Sequence, residues 1–177
     1  MMKKRIVLAL LVSFLTIVVQ AQKFAYIDTE YIFKNVPEYQ DAQKQLDELS
    51  GQWQKQVEKR YKAIEKLRKD FQAEEILLTE SMKNRRQEEI LKKEAEAREF
   101  QKKKFGVDGE LFKKRKELIK PIQEKIYKAV QETANVGKYS VIFDKSSEAT
   151  MVYANPKYDK SDDILKRMGI KPGGKDK

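Results

Sequence analysis

The feature that most constrains this chain is a long run of charged residues, 37–137, that carries a regular apolar stripe. The first half of the run shows the stripe most clearly, with steps of three and four residues through Leu46, Leu49, Trp53, Val57, Tyr61, Ile64, Leu67 and Phe71. Such steps keep apolar side chains along one side of an α-helix, and the other sides carry Lys, Arg, Glu, Asp and Gln. The pattern predicts a very long, exposed helix.

The second half of the run predicts another exposed helix. Its large apolar residues are sparser: Met82, Ile90, Leu91, Phe100, Phe105, Leu111, Leu118, Ile122, Ile126 and Val130. A glutamate precedes a lysine or arginine by four residues at Glu88 and Lys92 and again at Glu94 and Arg98. Acid-first pairs at this spacing support an exposed helix, although a solvated face alone would carry them too.

Two such helices in sequence favour an antiparallel hairpin. Opposite residues of a hairpin have numbers with a constant sum, and pairs such as Val57 with Phe100 sum to 157, which centres the turn at Leu78 and Thr79. Thr79 also suits the N-cap of the second helix. The limb 37–78 holds 42 residues, or about 60 Å of helix. Because so long a two-helix finger buries little surface, we expect it to project from an oligomer.

The N-terminal segment has the features of a targeting signal. Lys3, Lys4 and Arg5 precede a short apolar run, 6–19, and small residues end at Ala21. This arrangement is typical of a secretory signal peptide cleaved after Ala21, and the run is shorter than the roughly 20 residues that span a bilayer. An uncleaved anchor is the alternative. With 0 cysteines there is no thiol for lipidation, disulfides or metal binding, so we expect a soluble, exported protein.

Short segments on either side of the hairpin predict a small β body. Apolar residues 24–27 indicate a strand, and Asp28 then caps a helical turn before Pro37 opens the first limb. Residues 139–143 and 150–153 indicate two more strands joined by a polar turn, 144–149. Ser161 is expected to cap a short last helix, and residues 171–177 to form a disordered tail.

The fold class predicted is therefore mainly α with a small β body, in which a helical arm projects from a three-stranded sheet. The units are 1–21, the signal peptide; 22–36, the first strand and helical turn; 37–137, the arm; 138–170, the later strands and helix; and 171–177, the tail. A sheet this small is marginal alone. Its apolar residues on both faces predict association between subunits, with interface candidates Phe24, Tyr26, Val141, Phe143, Met151 and Tyr153.

Glycine and proline residues occur at positions where they would interrupt or bend the helices of the arm. Gly106 and Gly109 interrupt the second limb, and two glycines weaken a helix by roughly 2 kcal/mol relative to alanine. Gly51, the sole glycine of the first limb, lies opposite Gly106 in the same register. We interpret the position shared by Gly51 and Gly106 along the hairpin as a hinge. The alternative is that the glycines only allow the two helices to approach closely. Pro121 should kink the second limb near its base.

Two surfaces of the arm stand out. The tip is apolar for an exposed turn, with Ile76, Leu77, Leu78 and Met82, and either contacts a partner or packs on itself. The segment 102–120 has eight cations against three acids in a chain of net charge +10, with basic-surface candidates Lys102, Lys103, Lys104, Lys113, Lys114, Arg115 and Lys116. Export argues against nucleic acid, so anionic lipid or lipopolysaccharide is the polyanion considered, and a solvated face is the alternative.

Enzyme chemistry is disfavoured. The chain has 0 His and 0 Cys, which removes the commonest general bases, nucleophiles and zinc ligands. Asp28 and Asp144 end neighbouring strands and could form a carboxylate pair, but a cap and a turn residue explain them better. No catalytic, cofactor or metal site is expected.

Taken in order, these segments resemble one family. Over about 23–170, behind the signal peptide, the chain resembles the Skp/OmpH family of periplasmic chaperones. The segments that carry the resemblance are, in order, FAYIDTEYIF, a basic helical hairpin, KRKELIKPIQEKIYKAV, YSVIFD, MVYANPKYD and DDILKRMGI. The resemblance implies a homotrimer whose strands form a central body and whose arms surround a cavity for unfolded outer-membrane proteins. It implies a holdase, and we expect the holdase to be independent of ATP because the sequence has no phosphate-binding glycine loop and ATP is not expected outside the cytoplasm. The thin stripe and the tip then give client-contact candidates Ile76, Leu77, Leu78, Met82, Phe100 and Phe105.

Two other functions compete with this one. A structural or tethering coiled coil of the envelope would need a closed apolar seam and would bind nothing unfolded. A polyanion-binding protein would show binding that falls steeply with salt. The thin second stripe and the apolar tip favour the holdase.

Overall fold

The computed structural model describes residues 22–147 and 151–173. The signal peptide expected at 1–21, the first residue of the expected third strand, Thr150, and the last four residues of the expected tail lie outside the described residues.

The elements follow one another as a strand, a hairpin of long helices, a strand and a short helix. In chain order they are β1 (Lys23–Ile27), α1 (Thr29–Asn35), α2 (Pro37–Glu74), a 3₁₀ turn (Glu75–Leu77), α3 (Glu80–Phe105), α4 (Glu110–Gly137), β2 (Tyr139–Asp144), a second 3₁₀ turn (Pro156–Tyr158) and α5 (Ser161–Arg167). The prediction of a mainly helical chain with a small sheet is confirmed.

The arm consists of α2 running out and α3 and α4 returning. With 38 residues, α2 is about 57 Å long. The chain reverses in the 3₁₀ turn and at Leu78, and Thr79 then caps α3, its side-chain oxygen accepting a hydrogen bond from the Met82 amide at 3.4 Å. The return limb breaks at 106–109, between α3 and α4, whereas α4 continues as one helix through Pro121.

A thin apolar seam joins the limbs. Leu46, Val57 and Ile64 of α2 are buried, and they face a return limb whose α3 buries only Ile90 and Ala97. Ala97 is 1% exposed, so its small side chain lies where the helices approach closely. Other members of the expected stripes lie outside the seam: Tyr61 and Leu91 are 41% and 56% exposed.

The main core lies at the base of the arm. Nine buried residues from β1, α1, α2, α4, α5 and the link between α1 and α2 form it: Ile27, Ile32, Val36, Ala42, Ile122, Ile126, Ala129, Ile164 and Leu165. Above this core β1 and β2 pair in parallel, with Ala25 opposite Ile142 and Tyr26 opposite Phe143. This pairing brings the two limb bases together, so the sheet closes the hairpin.

The third expected strand is absent, since residues 151–153 are not in a strand and Val152 and Tyr153 are 94% and 79% exposed. The reason lies at the second edge of β1. There the Lys160 amide donates to the Tyr26 carbonyl at 2.9 Å, and Asp159 forms an isolated bridge with Tyr26. With that edge occupied, the sheet in the described part of the chain has two strands.

Two expectations for the C-terminal segment are also corrected. Ser161 is the first residue of α5 and not its cap; its hydroxyl accepts from the Asp28 amide at 2.9 Å and donates to Asp159 at 2.7 Å. The start of the expected tail is held in place: the Gly173 amide donates to the Asn35 side-chain oxygen at 2.9 Å, and the Tyr31 hydroxyl donates to the Gly173 carbonyl at 2.6 Å.

The glycines of the arm differ in what they allow, and this gives a stability prediction. A Cβ added at Gly51 meets no atom within 4 Å, whereas one at Gly106 would lie 2.4 Å from the Lys102 carbonyl oxygen. We therefore expect Gly51→Ala to raise the free energy of unfolding by about 0.5–1 kcal/mol, because helix interiors disfavour glycine. Gly106→Ala should lower it. Urea unfolding followed by circular dichroism measures both, and a loss of stability in Gly51→Ala would contradict the expectation.

Candidate functional surfaces of the arm and body

The tip of the arm exposes apolar side chains. Ile76 and Leu77 of the 3₁₀ turn are 93% and 84% exposed, and Met82 in the first turn of α3 is 50% exposed. Among the four apolar residues of the tip, only Leu78 is partly covered. Self-packing therefore does not account for Ile76 and Leu77.

Midway along the arm, aromatic and charged side chains join α2 to the return limb. The Lys104 ammonium lies 4.5 Å from the centre of the Trp53 ring and 5.6 Å from that of Phe100. Phe105 packs its edge against Trp53, with ring centres 6.3 Å apart. Lys104 also pairs with Glu110. We call Trp53, Phe100, Lys104, Phe105 and Glu110 the Lys104 cluster.

The cluster changes how two client-contact candidates are interpreted. Phe100 and Phe105 are half-buried within the arm, and the Arg60 guanidinium lies 3.8 Å from the centre of the Phe100 ring. The hydrogen bond from Lys104 lowers the pKa of Glu110 below its ordinary value, with support from the nearby lysine charges against the cost of desolvation. The Lys104–Glu110 pair therefore joins the end of α3 to the start of α4 across the break in the return limb.

The basic-surface candidates divide into paired and unpaired side chains. Lys104 and Lys114 have carboxylate partners, Glu110 and Glu117 respectively, and Lys103 is a distant second partner of Glu110 at 4.0 Å. The remaining candidates are exposed and have no carboxylate within 4.0 Å among the described residues: Lys102, Lys113, Arg115 and Lys116. On α4, Lys113 and Lys116 line a shallow groove that also includes Lys120 and the carboxylates of Glu117 and Glu124.

The outer face of the sheet is apolar and open. Phe24, Val141 and Phe143 are 47%, 42% and 49% exposed, and the rings of Phe24 and Phe143 lie 6.4 Å apart. Of the other interface candidates, Tyr26 is only 8% exposed, Met151 is half-buried and Tyr153 is exposed.

The two strand-end carboxylates are occupied by structural hydrogen bonds. Asp28 accepts from the Tyr31 amide at 2.9 Å, as an N-cap does. Asp144 accepts from the Thr29 amide at 3.2 Å, from the Thr29 hydroxyl at 2.7 Å and from Ser146. Burial raises the pKa of Asp144, but the hydrogen bonds from Thr29 and Ser146 together outweigh burial and hold it below its ordinary value. Both carboxylates are therefore explained by local structure.

Among residues 22–147 and 151–173, no group of three or more His, Cys, Asp or Glu side chains is placed to hold a metal ion. None of the helices described is both long and apolar enough to cross a membrane.

The chain combines a long two-limbed helical arm with a small body of sheet and helices, and the comparisons with known proteins give its family. The model of the family described as outer membrane protein (OmpH-like) matches residues 23–168. The chain therefore belongs to the OmpH-like family, and the resemblance seen in the sequence is confirmed.

Two similar proteins extend this result. An uncharacterized protein of Aquifex aeolicus (strain VF5) is 28% identical over 145 residues, which cover 82% of this chain and 85% of that protein. The crystal structure of a candidate outer membrane chaperone (OmpH-like) from Caulobacter crescentus CB15 matches with a TM-score of 0.67 over 88% of this chain and 90% of that one. At 14% identity the crystal structure supports the fold alone.

Proposed function

We propose that this chain is an ATP-independent holdase chaperone of the periplasm, which binds unfolded outer-membrane proteins between helical arms and prevents their aggregation. Membership of the OmpH-like family and the fold shared with the Caulobacter chaperone candidate support a chaperone role. The observation that carries the proposal is the arm: a long, charged rod whose seam is thin and whose tip exposes Ile76 and Leu77.

The physical problem that such a protein addresses is an unclosed β-barrel. Its strand edges and apolar side chains cannot be satisfied before the barrel closes in a membrane, so it aggregates in water. Arms with scattered apolar side chains and many cations offer weak contacts at many points. Avidity then holds the client although each contact exchanges readily. Release follows when the client folds elsewhere, and this cycle requires no ATP.

The cavity requires more than one arm, and we propose that three copies supply it. The exposed outer face formed by Phe24, Val141 and Phe143 is the surface we assign to association. Apolar faces of this kind are normally covered. The unpaired cations of α4, Lys113 and Lys116, would add a salt-sensitive attraction to anionic lipid or lipopolysaccharide.

The tip gives a direct test of the proposal. We expect a variant carrying Ile76→Ser and Leu77→Ser to need several times more protein to suppress aggregation of a urea-diluted outer-membrane barrel, because each arm loses two exposed apolar contacts. Turbidity against chaperone concentration measures this. The matched control is Leu91→Ser, which removes a leucine that is 56% exposed but lies on α3 away from the tip. Equal losses in both proteins would contradict a specific role for the tip.

A tethering coiled coil of the envelope is the competing function. It would tolerate the tip substitutions without loss, because a tether acts through its length and its folded partner. Failure of the parent protein to suppress aggregation at any concentration would favour the tether.

A further inference from the structure

Three helices meet at the side chain of Lys104. Lys104 lies in the last turn of α3, it covers the ring of Trp53 from α2, and it pairs with Glu110 in the first turn of α4. Its side chain is only 16% exposed, whereas that of the neighbouring Lys103 is 71% exposed. A lysine this shielded binds aromatic rings more strongly than one in water does.

The break beneath Lys104 depends on two glycines. Cβ atoms at Gly106 and Gly109 would lie 2.4 Å and 2.8 Å from carbonyl oxygens of the preceding turn, those of Lys102 and Lys104. Neither glycine has a positive φ, so close approach of the backbone, and not a left-handed conformation, requires them. The return limb therefore has a short, tight joint that the Lys104–Glu110 pair spans.

The glycine of the first limb lies at the same level. Gly51 lies two residues before Trp53 within the continuous helix α2, and its Cβ position is open. Glycine lowers the cost of bending a helix there. A bend at Gly51 and at the joint would separate Lys104 from Glu110 and draw its ammonium away from the Trp53 and Phe100 rings.

We propose that Lys104 is a latch over the ring of Trp53, which becomes an aromatic contact surface when the lysine moves away. The occupant is an unfolded client segment that carries aromatic and acidic side chains. Its carboxylate replaces Glu110 as the partner of Lys104, and its ring stacks on the Trp53 ring that the lysine uncovers. Lys102 and Lys103 lie beside the latch and add positive charge that complements such a segment. The proposal deepens the holdase function and rests on it for the identity of the occupant.

The latch is tested first without a client. Trp53 is the one tryptophan of the chain, so quenching of its fluorescence by acrylamide reports whether its ring is covered. We expect Lys104→Ala to raise the quenching constant at least twofold, and the control Lys102→Ala, an exposed lysine of the same helix, to leave it unchanged. Equal quenching in Lys104→Ala and the parent protein would overturn the latch, provided circular dichroism shows equal helix content.

The joint is tested with spin labels. The chain has no cysteine, so labels at Lys92→Cys and Gln123→Cys, diluted with unlabelled chain, report the distance between α3 and α4. We expect Glu110→Gln to broaden the distance distribution, because it removes the negative charge that attracts Lys104 across the joint. A distance distribution identical to that of the parent protein would show that the Lys104–Glu110 pair does not restrain the joint.

Two peptides test the occupant, one alternating Tyr with Asp and one alternating Tyr with Asn. We expect only the acidic peptide to add a shorter component to the label distances at the same concentration, and we expect Lys104→Ala to respond alike to both. Equal responses of the parent protein to the two peptides would overturn the exchange of carboxylates. A parent protein that distinguishes the two peptides but fails to suppress aggregation would contradict the holdase function and support the latch.

Discussion

Replacing Leu165 with alanine should lower the free energy of unfolding by about 3 kcal/mol. Leu165 of α5 is 0% exposed and belongs to the core cluster at the base of the arm. Large-to-small substitutions at such sites cost about 2–5 kcal/mol, because burial is lost and a cavity remains. The effect is large here because a short helix, a two-stranded sheet and the limb bases share this single core. The midpoint of urea unfolding measures it.

The control for Leu165→Ala is Ile76→Ala at the tip. Ile76 is 93% exposed, so its truncation should change the unfolding midpoint little. Comparable shifts in the two variants would mean that the tip is buried in solution, for instance within the assembly. That result would contradict the tip as a free contact surface.

Replacing Phe143 with glutamate should dissociate the proposed trimer. Phe143 is 49% exposed on the outer face of the sheet, beside Phe24. A carboxylate at the centre of an apolar interface is desolvated without a partner. We expect the dissociation constant to rise at least a hundredfold, which corresponds to about 2.7 kcal/mol. Light-scattering mass against concentration measures it, and aggregation suppression should fall with the mass because a lone arm encloses no cavity.

Leu91→Glu is the matched control for Phe143→Glu. Leu91 is 56% exposed but lies on the arm, so the mass of this variant should equal that of the parent. Helix content should remain high in both variants, since neither residue is in the core cluster. A Phe143→Glu protein with the parent mass would rule out this face as the interface.

The elements of the fold could be predicted because their causes are local. The step of three and four along α2 requires no knowledge of its partner, and a threonine before a charged helical run suits the cap at Thr79. The antiparallel turn followed from matching the two apolar stripes. Ala97 does not stand out in the sequence because the apolar stripe is defined by large residues, although a small residue lets two helices approach most closely.

The features that sequence patterns missed depend on contacts between distant residues. The third strand was expected from composition, but pairing requires a free edge, and Asp159 with Lys160 occupies the one that β1 offers. The glycine-rich end was expected to be disordered. Gly173 is instead held by Asn35, and a Cβ there would lie 2.4 Å from the Asn35 side-chain oxygen.

The candidate site could be predicted only in part. The exposed tip followed from its position at the turn. Lys104 was grouped with its neighbours in a basic run, and nothing in that run distinguishes a shielded lysine from an exposed one. The residue that could have pointed to this site is Trp53, the single tryptophan of the chain. In the register of the hairpin it lies close to the glycine break of the return limb.

The measurement that tests the holdase most directly is the light-scattering mass of the mature protein, alone and after mixing with a urea-diluted outer-membrane β-barrel protein, with turbidity followed in parallel. We expect a trimer that forms a discrete, soluble complex with the barrel protein and keeps the mixture clear. A stable oligomer whose mass does not change while the barrel protein precipitates would contradict the holdase function.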